Sequence, residues 1–336
     1  MKNTRSMIEI SRRTALAMFG SAGLGVAMGG ISMSATESRD GIVDQALPKF
    51  SESSRALLRK LLSAPGYNGQ IWKGDVAVLA QNEKSSVEEL MVNLLPLARS
   101  YSYAPISNFF VGVVVRGESE SLYMGANIEI PGQCLGFAVH AEQSAISNAY
   151  MHLNAPYMLA VNAAPCGHCR QFMEEISPDG ELTILMPEKP PTKLSSILPS
   201  AFSPRELGMT EGAFPVKEAD LKLVHASTDE LTKNALVAAR KAYAPYSKSH
   251  SGVAIRGARG RIYRGSYIEN VAFNPSLSPL QVALAAMIAG GEAISAISAA
   301  ILVEVEGAKI SQRSVTEAAL GAIAPSVKLS LAVARS

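Results

Sequence analysis

Cysteine is scarce in this chain: only Cys134, Cys166 and Cys169 occur in 336 residues. That is too few for a disulfide framework, and two of them stand at metal-ligand spacing. Charge is modest as well, with 18% of residues charged and a formal net charge of +2. No lysine or arginine run is present to track phosphates, so a nucleic-acid partner is not indicated. There is one tryptophan, Trp72, between two apparent helices, and it reads as a packing residue. The apolar stretch near the start is broken by glycines, which argues against a permanent membrane anchor. What remains is a chain that is 48% hydrophobic, long enough for two ordinary domains that each bury a core.

The stretch around which the rest is organised is Val139-His140-Ala141-Glu142, answered by Pro165-Cys166-Gly167-His168-Cys169. A lone Cys-x-x-Cys is equally a redox pair. With a histidine, a glutamate two residues later and a proline before the first cysteine, it becomes a three-ligand zinc set with an open fourth position. The expected ligands are His140, Cys166 and Cys169. His168 is a rival inside the Cys-x-x-Cys, but the spacing favours the two cysteines. Cys134 lacks a partner in sequence and reads as a buried small hydrophobe.

Along the chain, residues 1–38 read as an export signal. Ser11-Arg12-Arg13-Thr14 opens a mildly apolar, small-residue stretch, and the paired arginines resemble the twin-arginine type, which implies a periplasmic location. The departures are Ala15 and Ala17, where Phe and Lys are usual, and the alternative is a cytoplasmic enzyme with an extension. Export after folding would let zinc protect both thiolates from oxidation. Residues 44–98 read as a small helical region, with one helix over residues 54–62 and another through Val87, Leu90, Met91, Leu94 and Leu95.

Residues 99–186 form the expected catalytic unit. Phe109 to Arg116 is a strand, Ser121 to Met124 its hairpin partner, and Ala155 to Ala163 contains the next strand. Asn127 and Glu129 sit at i and i+2 of an extended segment, so both face one side. They can offer an amide and a carboxylate to a sugar hydroxyl, or serve as turn chemistry at a sheet rim. His140 to Ile146 and Pro165 to Phe172 open two helices, whose N-termini favour thiolate at the site.

The chain resembles bacterial two-domain, homodimeric, zinc-dependent cytidine deaminases over about residues 90 to 300. The segments that carry the resemblance are Ser107-Asn108-Phe109, Tyr123 to Glu129, His140 to Ser147 and Pro165 to Met173; the H-x-E…P-C-x-x-C pattern is the signature of zinc nucleobase deaminases. The resemblance implies that His140, Cys166 and Cys169 hold zinc and that Glu142 carries protons. It also implies that Asn127 and Glu129 bind ribose and that Phe109 stacks on the pyrimidine. Ala163-Ala164 departs from it, since bulkier residues are expected there. The implied fold is α/β: two copies of a cytidine-deaminase-like α/β/α sandwich, each a mixed sheet with helices on both faces, after the helical region.

The second copy is visible as a repeat. Tyr103 to Glu129 aligns without gaps, at an offset of 140, with Tyr243 to Glu269, and Gly112/Gly252, Gly125/Gly265 and Glu129/Glu269 are among the identical pairs. Where His140 and Glu142 would fall stands Pro279-Leu280-Gln281-Val282, and no cysteine follows Cys169. One zinc per chain is therefore expected, in the first copy only. Residues 187–215, rich in proline, read as an extended linker before a non-catalytic domain over 216–336; the resemblance implies that Phe202 in the linker is a candidate to reach a neighbouring site.

Three functions compete. Deamination of cytidine and deoxycytidine in pyrimidine salvage leads. A deaminase of another cytosine compound or polynucleotide is the second, and a non-catalytic zinc-stabilised binding protein the third. Glu142 speaks against the last, because a structural site needs no proton carrier and closes with four protein ligands. The expected partners are a nucleoside and a second copy of the chain.

Overall fold

A computed structural model describes residues 39–336; the stretch read as an export signal lies outside the described residues. The chain enters through α1 (Arg39–Ala46), α2 (Glu52–Ser63), β1 (Gln70–Ile71), α3 (Lys73–Glu83), α4 (Val87–Asn93) and α5 (Leu95–Arg99). Ser51 caps α2 by accepting the Ser54 N–H at 3.3 Å, and Leu58 and Leu62 from the same helix are fully buried. The single helix expected through Val87 to Leu95 is two helices. Pro96 has no N–H to continue the ladder, so a new helix starts beside it. The region also supplies a strand, because β1 pairs antiparallel with Leu122 and Tyr123.

The first unit continues as β2 (Gly112–Gly117), β3 (Leu122–Ala126), α6 (Ala141–Met151), β4 (Pro156–Val161), α7 (Gly167–Ile176) and β5 (Thr183–Leu185). Its sheet runs β1-β3-β2-β4-β5 and ends on β6 (Thr192–Lys193), which leads into α8 (Leu194–Ile197). Both lie in the segment expected to be an extended linker. It is not extended throughout, because Leu194–Ile197 is helical and Pro204–Leu207 forms a 3-10 turn.

The second unit contains β7 (Lys222–Leu223), α9 (Glu230–Arg240), β8 (Ser251–Gly257), β9 (Ile262–Ser266), α10 (Pro279–Ala289), β10 (Ile297–Val305), α11 (Arg313–Ile323) and β11 (Leu329–Arg335). Its sheet, β7-β11-β10-β8-β9, repeats the first: an antiparallel hairpin, an antiparallel neighbour and then a parallel strand. The repeated glycines have a packing reason. A Cβ on Gly112 would lie 2.3 Å from the Arg99 backbone N, and one on Gly252 would lie 2.2 Å from that of Ala239. In both units a helix crosses its strand too closely for any side chain.

The helices α6 and α10 pack on each other and on their own hairpins, which fuses the two units around a shared core holding Val113 to Val115, Ile146, Val253, Leu280 and Leu284. The join is nearly two-fold. Gln143 on α6 donates to the Pro275 carbonyl at 3.1 Å, and Gln281 on α10 donates to the Phe137 carbonyl at 3.0 Å. The loop before α10 is two residues shorter than that before α6, so the residue standing at His140 is Ser278 and that standing at Glu142 is Leu280. This shifts the correspondence expected from the sequence by two places.

Two packing expectations fail. Trp72 is 62% exposed: it stands just past β1, whose Gln70 and Ile71 are both buried, at the cap of α3. Cys134 is exposed, because it leads a short 3-10 turn carried outside the core.

Candidate active site

The site lies where two helices begin. Strand β3 ends in an extended segment in which Ile128 bridges Tyr103 on one side and Val139 on the other. Its hydrogen bonds to Tyr103 (Tyr103 N to Asn127 O 2.9 Å, Glu129 N to Tyr103 O 2.8 Å) turn Asn127 and Glu129 to the same face. The chain then returns through Val139 to His140, the residue that caps α6, and Cys166 caps α7 with its Sγ accepting the Cys169 N–H at 3.5 Å.

The donors converge. His140 Nδ1 is 3.5 Å from Cys166 Sγ and 3.2 Å from Cys169 Sγ, and the two sulfurs are 3.6 Å apart. Zn–S bonds of about 2.3 Å and Zn–N bonds of about 2.0–2.1 Å give tetrahedral edges of about 3.6–3.8 Å, so the cradle fits zinc after a slight opening. Among the described residues this is the one group of three such side chains within metal-binding reach of one another. His168 is not part of it. Its ring stacks on His140 at 5.6 Å, and its Nε2 faces Gln143 Nε2 at 3.2 Å.

The two sulfurs are in contact. A hydrogen bond from Cys169 holds Cys166 down to about 4, while the same contact, followed by burial, drives the Cys169 thiol up. A dication bound here would take both sulfurs as thiolates. Glu142, on the first turn of α6, is 4% exposed and lies beside Cys169 without joining the donor set. Burial raises its pKa, against the pull of its backbone hydrogen bond and Cys169.

These groups open on a cavity of about 270 Å³ lined by Phe109, Asn127, Glu129, His140, Glu142, Ala163, Ala164 and Cys166. Every site residue expected from the sequence is on its wall except the buried Cys169 behind it. Two of them are also occupied otherwise. Glu129 accepts the Ile106 and Ser107 N–H groups at 2.7 and 3.0 Å and the Ser107 hydroxyl. Asn127 accepts the Val111 N–H at 2.9 Å and the Ser102 hydroxyl and donates to the Phe109 carbonyl at 2.9 Å. Both therefore shape the rim that presents Phe109, which is 61% exposed. Sequence reasoning missed Gln143, whose Oε1 accepts the His140 N–H at 3.2 Å. A glutamine at the third position of a helix is the signal that could have found it.

Three convergent donors, a separate buried carboxylate and an open pocket define a mononuclear metallohydrolase. The family described as "Cytidine and deoxycytidylate deaminase zinc-binding region" matches residues 84–185, and a second family of the same description matches residues 194–317. A cytidine deaminase of Vibrio parahaemolyticus is 42% identical over 86% of this chain and 97% of its own. One from Photobacterium profundum is 44% identical over 73% and 83%. A solved cytidine deaminase from Mycobacterium tuberculosis is 26% identical over 34% of this chain and 96% of its own, with a TM-score of 0.32. The chain belongs to the cytidine deaminase family. Its metal is zinc, held in the first unit; the second, though matched by a zinc-binding description, contains no cysteine.

Proposed function

We propose that the chain hydrolyses cytidine and deoxycytidine to uridine and deoxyuridine with release of ammonia. The observation that carries this reading is Glu142, buried against the three-donor cradle, outside it, and facing a nucleoside-sized cavity. The curated cytidine deaminases at about 42% identity support the substrate. Zinc, when bound by His140, Cys166 and Cys169, supplies the Lewis acidity that makes hydroxide available near neutral pH for attack on C4. Glu142 takes the proton given up by water and hands it to ring N3, which makes C4 electrophilic. It then passes a second proton from the new C4 hydroxyl to the departing amine. Burial, which raises its pKa, suits it to hold a proton between these steps.

Phe109 stacks on the pyrimidine, and Asn127 and Glu129 receive the ribose through the hydrogen-bonding capacity left over from the rim. Two chains form a homodimer, a reading supported by the exposed Phe202 and Phe273. The twin-arginine-like start supports a periplasmic enzyme, tested by fractionating cells that express the full chain and an Arg12→Lys, Arg13→Lys variant; equal cytoplasmic retention of both would remove export. The reaction is tested on cytidine, deoxycytidine, free cytosine and a cytosine-containing oligonucleotide, following ultraviolet absorbance and ammonia. Turnover of the two nucleosides is expected; turnover of the oligonucleotide alone would overturn the reading.

A further inference from the structure

One loop of the second unit, Asn270–Ser276, is bonded to both helices that carry the metal donors. Asn270 Nδ2 donates to the Gln171 carbonyl on α7 at 2.9 Å, and the Val271 N–H donates to Glu175 Oε2 on the same helix at 2.7 Å. At its other end the Pro275 carbonyl takes the Gln143 amide from α6. Asn270 and Glu175 are fully buried, and Gln143 is nearly so. The loop is stiffened from within: Asn270 Oδ1 accepts the Ala272 N–H at 3.0 Å, Ser276 Oγ accepts the Asn270 N–H at 2.9 Å, and the Asn270 carbonyl accepts the Phe273 N–H at 2.9 Å. Glu175 is held in turn by the hydroxyls of Tyr243 and Tyr246, at 2.7 and 2.6 Å.

The unit-to-unit contact is symmetric in its glutamines but not in this clamp. Gln143 and Gln281 make equivalent bonds across the join. Asn270 corresponds at the repeat offset to Ile130, whose side chain is apolar; α11 is reached instead by Gln133, whose Nε2 donates to the Ala318 carbonyl at 2.9 Å. When α7 and α11 are aligned on their capping residues, Cys166 and Gln312, Glu175 corresponds to Gly321. Both directions therefore place a side-chain amide on a helix carbonyl, but the buried carboxylate that takes a loop N–H is present only on the helix that carries the metal donors.

We propose that the Asn270–Ser276 loop is a brace that sets α6 against α7, with Asn270, Glu175 and Gln143 as positioning residues for the zinc cradle. This rests on the reading of His140, Cys166 and Cys169 as zinc ligands. Outer partners of metal ligands commonly change affinity or activity by about 10–100-fold; here Gln143 bonds the His140 N–H, and the loop that holds Gln143 and α7 comes from the catalytically inert unit.

The test uses the purified full chain and its Asn270→Ala, Asn270→Asp and Tyr246→Phe variants, well below their Tm. Zinc release to a chelator, the visible spectrum of the cobalt-substituted protein, kcat and KM are measured. Release about tenfold faster, shifted cobalt bands and a kcat lower by about tenfold with KM little changed are expected for both Asn270 variants, with a smaller effect for Tyr246→Phe. Variants that lose only Tm, with zinc release and cobalt bands equal to the parent's, would overturn the brace; Tyr246→Phe, which removes a single hydroxyl, decides the matter should the Asn270 variants not fold. A parent enzyme without zinc would instead remove the ligand reading, and the brace with it.

Discussion

The two units share a fold and differ where chemistry would happen. In the first, Phe109 stands open at the pocket, His140 and Glu142 start α6, and Cys166 and Cys169 start α7. In the second, the corresponding positions hold Ser249, Ser278, Leu280, Gln312 and Val315. The space is also closed differently. The Ser249 hydroxyl accepts the Ile310 N–H at 3.2 Å, and Glu304 accepts the Gln312 N–H at 2.6 Å, so the loop before α11 folds onto the old entrance. Yet Glu269 accepts the Tyr246 and Ser247 N–H groups as Glu129 accepts those of Ile106 and Ser107. A residue kept in the unit without a metal site is there for the turn. The comparison thus separates what the fold needs from what catalysis adds.

The comparison is broken most severely at Glu142. Glu142→Gln is expected to keep zinc and lower kcat by about 10²–10⁴-fold, the scale of a lost proton carrier; Leu280→Gln, at the matching position, is expected to change stability only. A Glu142→Gln enzyme with near-normal turnover would end the assignment. Cys166→Ser comes next: zinc content and Tm should fall together, since metal binding contributes folding energy. Full zinc in that variant would show that the donor set is misread.

A sharper test pairs the two glutamates. Glu269→Ala should cost about 1–3 kcal/mol, because it leaves a part-buried turn's N–H groups without their acceptor, and Glu129→Ala should cost less, because its turn is open to water. Only Glu129→Ala should also weaken kcat/KM, and more on ribosides than on free cytosine; equal kinetic losses at both positions would dissolve the distinction. The smallest effect concerns Glu174 on α7, which has Leu320 as its counterpart on α11. Burial, with Asp179 beside it, pushes this carboxyl up to about 7. The folded state then binds the extra proton between the ordinary glutamate range and about 7, so this group's contribution to stability falls as pH rises through that window. Glu174→Gln should raise Tm relative to the parent more at pH 8 than at pH 5, as scanning calorimetry would register; a pH-independent difference would count against it.

Much of this was legible in the chain. The metal donors, Glu142 and the repeat sit in contiguous motifs whose residue types leave few alternatives, and hydrophobic periodicity placed β2, β3 and β4. What escaped depends on distance or on small shifts of backbone. Gln143 bonds to Pro275, 132 residues away, and nothing local marks that pairing. The two-residue shortening before α10 lies beyond the gap-free alignment, so Ser278 was not matched to His140. Trp72 and Cys134 are exposed because edge and turn geometry override their average preference for burial. Thr192 pairs into a sheet that proline counting alone could not foresee.

Zinc content and cytidine turnover, measured on one purified sample, test the central division between the units most directly. About one zinc per chain, with turnover that disappears together with the metal in Cys166→Ser, is the expected result. Two zinc ions per chain, or undiminished turnover by Cys166→Ser, would contradict an inert second unit and a single catalytic first one.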